Sequence, residues 1–252
     1  MFDYQLKFQR MREVGALTTR CLNLLDQFIE PGITTEDINF LVQEFQTENE
    51  LENPQFGYKF SDSKHSFPAY CCTSVNERLC HEIPSEDVKL KEGDIVSVDI
   101  TFKKNGYLGD ACRTYAVGKI SKEAENLIHV AQNALQVGLQ QCAPYALIRN
   151  IGRYIEEYVN HNKMWVVGNF TGHGISTNFH EGPTIPHVFS EDIQFKLPMH
   201  SGMTFTIEPI ITLKKTRHRV LNDNWTVKGK QLAAQFEATI GINETGYEVF
   251  CR

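Results

Sequence analysis

Apolar residues recur at three- and four-residue steps along the start of the chain: Leu6, Val14, Leu17, Cys21, Leu24, Leu25 and Phe28. That spacing predicts a helix over 3–29, ended by Pro31-Gly32. Thr34-Thr35-Glu36-Asp37 then offers an N-cap and first-turn acids for a second helix, with Ile38, Leu41, Val42 and Phe45 on its buried face. Residues 50–70 lack either period and are aromatic (Phe56, Tyr58, Phe60, Phe67, Tyr70), which suits a pocket wall and plain packing equally. From residue 94 the period changes to two. DIVSVDITFKKNGYLGDACRTYAVG reads as two strands around Asn105-Gly106, a strong hairpin signal. Ser121 opens a helix over 121–141, Pro144 precedes another at 146–160, and strands follow at 164–168, 203–213 and 233–242. No low-complexity linker or short repeat divides the chain, so one α+β domain over 1–252 is expected.

The strand faces bring in chemistry. Val96, Val98, Ile100 and Phe102 share one face of the first hairpin strand, while Ser97, Asp99 and Thr101 share the other. A two-residue turn places Asp99 opposite Cys112, with Asp110 diagonal to it on the same face. Such neighbours lie about 7–8 Å apart, close enough for two carboxylates to reach one ion. Glu208 shares a face with Thr204 and Thr206, and Glu237 shares one with Gln235 and Thr239. His173 stands between Gly172 and Gly174, which are expected to let the backbone turn sharply. A buried carboxylate without a partner is costly, so four acids on strand-like segments suggest one shared partner of high positive charge. Four carboxylates balance two divalent ions. Oxygen donors with one imidazole favour manganese, iron or cobalt, with zinc and magnesium also admitted. Paired ions clamp and acidify a water and polarise a substrate oxygen, so hydrolysis is the expected chemistry.

Composition narrows the partners. The 252 residues are 41% apolar and 22% charged, with a net charge of −6, which argues against nucleic acid as the main partner. No apolar run approaches the roughly 20 residues of a membrane span. The first residues alternate charged and apolar side chains and carry no secretory h-region, so a cytoplasmic location is expected. Seven scattered cysteines read as reduced thiols. The H-E-x-x-H and G-x-S-x-G motifs and the phosphate-binding glycine loop are absent, and Cys72 with Cys80-His81 lacks a suitably spaced fourth zinc ligand. The basic run 214–219 reads as a solvated hairpin tip or as a ribosome or nascent-chain contact.

Asp99 and Asp110 are followed in order by TGHG (171–174), FTIEP (205–209) and AQFE (234–237). PGITT (31–35), TSVNE (73–77), HEIP (81–84), VDIT (98–101), FHEGP (179–183) and WTVK (225–228) accompany them. Over nearly its whole length the chain resembles type I methionine aminopeptidase. The resemblance implies the pita-bread fold, a curved antiparallel sheet flanked by helices with two divalent metals (Co, Mn, Fe or Zn) in its concave centre. It implies Asp99, Asp110, His173, Glu208 and Glu237 as ligands, with Glu208 also shuttling the proton of a metal-bridged water. His180 resembles the histidine at the scissile amide, and His81 the one near the backbone of the residue after methionine. Cys72, Phe179, Trp225 and Phe67 match walls of the methionine pocket. The implied activity is removal of the initiator methionine from nascent chains with a small second residue, by a monomer.

Two positions depart from the family pattern. Glu82 stands where Gly usually follows the histidine, and Ala238 where His usually follows the last glutamate ligand. Residues 53–66 also look longer than usual. A Glu at 82 near the substrate channel is expected to disfavour acidic residues after methionine. The alternatives are an X-Pro aminopeptidase-like peptidase, which usually needs an extra N-terminal domain, and a weakened paralogue acting as a peptide-binding module.

Overall fold

The computed structural model describes residues 4–59 and 65–252. Helix α1 (Tyr4–Leu25) buries Phe8, Met11, Val14, Cys21, Leu22 and Leu25. The predicted starting residue, Asp3, lies outside the described residues, as does Phe60. Leu6 and Phe28, expected on the buried stripe, are exposed. Helix α2 (Thr35–Glu48) opens on a full capping box: Asp37 N–H donates to Thr34 Oγ1 (3.1 Å), and Thr34 N–H donates to Asp37 Oδ2 (2.8 Å).

Strands β1 (Cys72–Val75), β2 (Arg78–Cys80), β3 (Ile95–Lys104) and β4 (Tyr107–Ala116) follow. The hairpin register is as the turn requires, with Asp99 paired to Cys112 and Thr101 to Asp110. Asn105 and Gly106 both have positive φ (52° and 84°), the geometry of a two-residue primed turn. Val96, Val98, Ile100 and Phe102 pack into one core with α1 and α2.

Helix α3 (Lys122–Leu139) is capped by Ser121. Helix α4 (Arg149–His161) starts three residues later than predicted, because Leu147 is held in an isolated antiparallel bridge to Pro198. Tyr145 and Ile148 N–H donate to the Met199 and Leu197 carbonyls. The remaining strands are β5 (Trp165–Val166), β6 (Gly172–Gly174), β7 (Glu181–Ile185), β8 (Thr204–Ile207) and β9 (Ile210–Thr212). After them come β10 (Arg219–Val220), β11 (Val227–Lys228), β12 (Ala233–Gln235), β13 (Ala238–Ile242) and β14 (Tyr247–Cys251).

Among the described residues the strands form sheets ordered β1-β3-β4, β10-β11-β2, β12-β9-β5 and β14-β13-β8-β6-β7, all antiparallel. Two predicted strands are broken. The segment 203–213 splits at Glu208-Pro209, where proline has no N–H for the ladder, and 233–242 splits at Phe236-Glu237. At each break the chain passes from one sheet to another and leaves a glutamate at the corner.

β4 faces the second break in an antiparallel register, partly through side chains. Thr239 Oγ1 donates to the Asp110 carbonyl (2.7 Å), Glu237 N–H to the Cys112 carbonyl (2.9 Å), and Thr114 Oγ1 to the Gln235 carbonyl (2.9 Å). The threonine hydroxyls stand in for backbone groups that the bend holds apart. α3 and α4 cover Phe205, Ile207, Ala234, Ala238 and Ile240 on the far side, so helices lie outside both halves and the polar strand faces turn inward.

Gly172 and Gly174 serve a different purpose from the one their spacing suggested. Neither has positive φ. A Cβ on Gly172 would press on the Thr206 carbonyl oxygen, and one on Gly174 on the Gly182 carbonyl oxygen. Both are needed for close backbone approach across β6. Gly174→Ala is therefore expected to cost about 1–3 kcal/mol of stability. That corresponds to a fall of roughly 2–12 °C in the thermal midpoint of a protein this size. An unchanged midpoint in calorimetry would show that the strand has room to give.

Candidate metal centre and peptide cavity

Asp99 and Asp110 reach the inner face from β3 and β4, His173 from β6, and Glu208 and Glu237 from the two strand breaks. All five line one cavity of about 200 Å³. His81, His180, Cys72, Phe67, Phe179 and Trp225 line it too. Parity expected one hairpin face with Asp99 and Asp110, and two further strand faces with Glu208 and Glu237. Tertiary structure turns those faces onto a common space.

The ligand-type atoms converge without bonding one another. One donor atom each of Asp110, His173 and Glu237 lies within 4.8 Å of the others. His173 Nε2 is 3.7 Å from Asp110 Oδ2 and 3.7 Å from Glu208 Oε1, too long for hydrogen bonds. His173 Nδ1 lies 3.0 Å from the Gly174 carbonyl, to which it donates, so Nε2 is the nitrogen turned to the carboxylates. Metal–ligand bonds to N and O of roughly 2.0–2.2 Å fit such gaps.

The acids are also held by neighbours. Thr101 Oγ1 donates to Asp110 Oδ1 (2.7 Å) and Thr206 Oγ1 to Glu208 Oε1 (2.9 Å). Burial pushes all four carboxyls above the usual carboxylate range, and neighbouring carboxylates push Asp110, Glu208 and Glu237 further. The described side chains around them bring no lysine or arginine into the cavity wall. A set of buried acids with a neutral imidazole and no organic cation has the donor chemistry of an oxygen-rich divalent site.

The histidines differ in setting. Burial lowers His81 to about 4, and its backbone takes a positive φ of 57°, which aims the ring from the end of β2. His180 sits at the mouth, 4.2 Å between ring centroids from His173 and 4.3 Å from Phe179. Partial burial and the nearby His173 and His81 rings hold it below its ordinary value.

Aromatic side chains extend the wall from His180. Phe67 meets Trp225 edge-on at 5.2 Å, and Tyr58 meets Phe179 at 5.2 Å and His180 at 5.1 Å. The 50–70 segment is thus both of the things expected of it. Tyr58 and Phe67 form a wall, pinned by Phe67 N–H to the Tyr58 carbonyl (2.7 Å) and Gly57 N–H to the Phe67 carbonyl (2.8 Å). Phe56 instead stacks on Tyr70 at the surface.

The two departures lie away from the cavity. Glu82 is buried, accepts from Val75 N–H (2.8 Å) and Arg78 Nε (3.0 Å), and does not line the cavity. It pairs with Arg78, so it offers no direct contact for acting on the residue after methionine. Ala238 pairs with Ile207 and packs into the helix-covered core. The seven cysteines are free and buried.

Sequence reasoning missed Gln55, Gln235 and His187. Gln235 Nε2 donates to the Glu208 carbonyl (3.3 Å), and Glu208 N–H donates to the buried His187 Nε2 (3.1 Å). Strand parity put Gln235 on the right face, but nothing local marks His187.

Known proteins match this chain in sequence and in fold. The model of metallopeptidase family M24 matches residues 9–244. The methionine aminopeptidase of Buchnera aphidicola is 36% identical over 246 residues, covering 96% of this chain and 90% of the relative. That of Escherichia coli K12 is 34% identical, covering 96% and 89%. The crystal structure of methionine aminopeptidase from Rickettsia prowazekii superposes with a TM-score of 0.92 at 34% identity, covering 98% of each chain. An X-Pro aminopeptidase from Thermotoga maritima shares the fold at 18% identity and a TM-score of 0.75, with 61% of its length covered. The architecture is the expected pita-bread fold. Matched by that family model over most of its length, and by relatives above 30% identity over nine-tenths of it, the chain belongs to metallopeptidase family M24.

Proposed function

We propose that this protein removes the N-terminal methionine from peptides and nascent proteins by metal-dependent hydrolysis. The observation that carries the reading is the single cavity in which five ligand-type side chains meet an aromatic and thiol-lined pocket. Asp99, Asp110, His173, Glu208 and Glu237 hold two divalent ions of the cobalt, manganese, iron or zinc kind. Bound there, such ions supply acidification of a water and polarisation of the scissile carbonyl.

The chain's own groups do the rest. Glu208, steadied by Thr206, takes the proton from the attacking water and returns it to the leaving amine. His180 donates an N–H to the scissile carbonyl as charge grows on its oxygen. His81, held neutral by burial, orients the backbone of the following residue. Phe67, Phe179, Trp225 and Cys72 take the methionine side chain, whose thioether suits an aromatic, polarizable wall. Such a pocket separates methionine from near neighbours by about 1–3 kcal/mol per methylene.

The substrates are N-termini with a small second residue, and the protein works as a cytoplasmic monomer with residues 1–252 as one catalytic domain. No helix of the described residues is long and apolar enough to cross a membrane. The basic run supports a transient ribosome contact: Lys214, Lys215, Arg217 and Arg219 are exposed, and His218 packs 5.5 Å from Phe170 of the cavity wall.

Metal-reconstituted protein is expected to release methionine from Met-Ala-Ser and to leave Ala-Pro-Ala intact, with a chelator stopping the reaction. Methionine release that ignores the chelator would sink the metal reading, and cleavage of Ala-Pro-Ala would favour the X-Pro alternative.

A further inference from the structure

Gln55 is buried, lies in an irregular segment and carries no charge. β3 has β4 on one edge. On the other, β1 ends at Cys72, paired with Asp99. Beyond that point, and before Glu52 bridges to Lys103, no strand among the described residues meets the Thr101 N–H or the Asp99 carbonyl. The Gln55 carboxamide meets both: Thr101 N–H donates to Oε1 (3.0 Å), and Nε2 donates to the Asp99 carbonyl (3.2 Å). One side-chain amide thus acts as the peptide group of a missing strand. The same Nε2 lies 3.4 Å from Asp99 Oδ1, within reach of the carboxylate itself, and 3.9 Å from Cys72 Sγ.

We propose that Gln55 is a positioning residue for Asp99, holding both its backbone and its carboxylate in the orientation that receives a divalent cation. Asp110 and Glu208 have their own holders in Thr101 and Thr206, whereas Asp99 has Gln55. Its amide can donate to a carboxylate without competing for the cation, since it brings no charge. Partners of this kind set the rotamer of a metal ligand, and their loss typically lowers metal affinity roughly 10- to 100-fold. The inference rests on the proposed role of Asp99 as a ligand.

Calorimetric titration of metal-free protein with Mn²⁺ tests it, using wild type, Gln55→Met, Gln55→Leu and Asp99→Ala. Gln55→Met keeps the length of the side chain and removes only its hydrogen bonds. Both Gln55 variants are expected to bind Mn²⁺ roughly 10- to 100-fold more weakly than wild type. Excess Mn²⁺ is expected to restore methionine release with KM for Met-Ala-Ser unchanged. A lowered thermal midpoint with wild-type Mn²⁺ affinity makes Gln55 a loop anchor and overturns the proposal. Failure of both variants to fold overturns it too, because Gln55 would then hold the chain and not one ligand. Wild type that takes up no Mn²⁺, or Asp99→Ala that binds as wild type does, overturns the assignment of Asp99 and the proposal with it. Weakening in Asp99→Ala alone overturns the proposal and leaves that assignment standing.

Discussion

Replacing Asp110 by alanine is expected to abolish metal uptake and methionine release together. The carboxylate is 4% exposed and faces His173 Nε2 and the Glu237 carboxylate at once, so its loss opens the middle of the ligand set. A fall in kcat/KM of about 10³-fold or more, equivalent to about 4 kcal/mol of transition-state stabilisation, is the expected scale. The fold is expected to survive. Asp110 is one of several buried acids that repel one another when no cation is present, so the metal-free variant should melt no lower than metal-free wild type. Mn²⁺ titration and a Met-Ala-Ser assay on the same preparation check both halves. Full activity in Asp110→Ala would refute the ligand assignment.

A second large effect concerns the metal-free protein and pH. Asp99, Asp110, Glu208 and Glu237 all titrate above the usual carboxylate range in the folded state, first because they are buried. Between their unfolded and folded values the native state holds more protons than the unfolded chain. Stability is therefore greatest below that window and falls as pH rises through it. Each such group contributes a slope of up to about 1.4 kcal/mol per pH unit. The buried His81, His173, His180 and His187, held below their ordinary value, oppose this slope only up to about pH 6.5, so metal-free protein is expected to melt lower at about pH 8 than at about pH 6.5. Divalent ions take the place of the protons, so the gain in midpoint on adding Mn²⁺ should grow with pH. Calorimetry at the two pH values, with and without Mn²⁺, decides it. A metal-free midpoint that is level or rises with pH would mean these acids are already compensated without a cation.

Much of the site was legible because its first links are local. A period of two with Asn105-Gly106 at its centre places Asp99 and Asp110 on one face, and the hairpin pairs Asp99 with Cys112 and Thr101 with Asp110 as that turn demands. The Thr34 cap and the apolar steps of the first helices are equally local. Parity also marked Glu208 and Glu237, and flanking glycines marked His173, but only the resemblance brought them to one centre, since no spacing says that Glu208 and Glu237 meet Asp110.

What the chain determined by itself was secondary structure, strand parity and the kinds of donor available, all set by neighbours a few residues away. Only the tertiary structure decided how they were used. The strands at 203–213 and 233–242 looked continuous, yet each breaks beside its glutamate because the chain must turn a corner between sheets. Gly172 and Gly174 are required by the Thr206 and Gly182 backbones, which approach from distant segments. Glu82 sits next to His81 but pairs with Arg78, and Gln55 caps the edge of a strand 44 residues away. Each outcome depends on which group arrives from far along the chain, and local pattern carries no record of that.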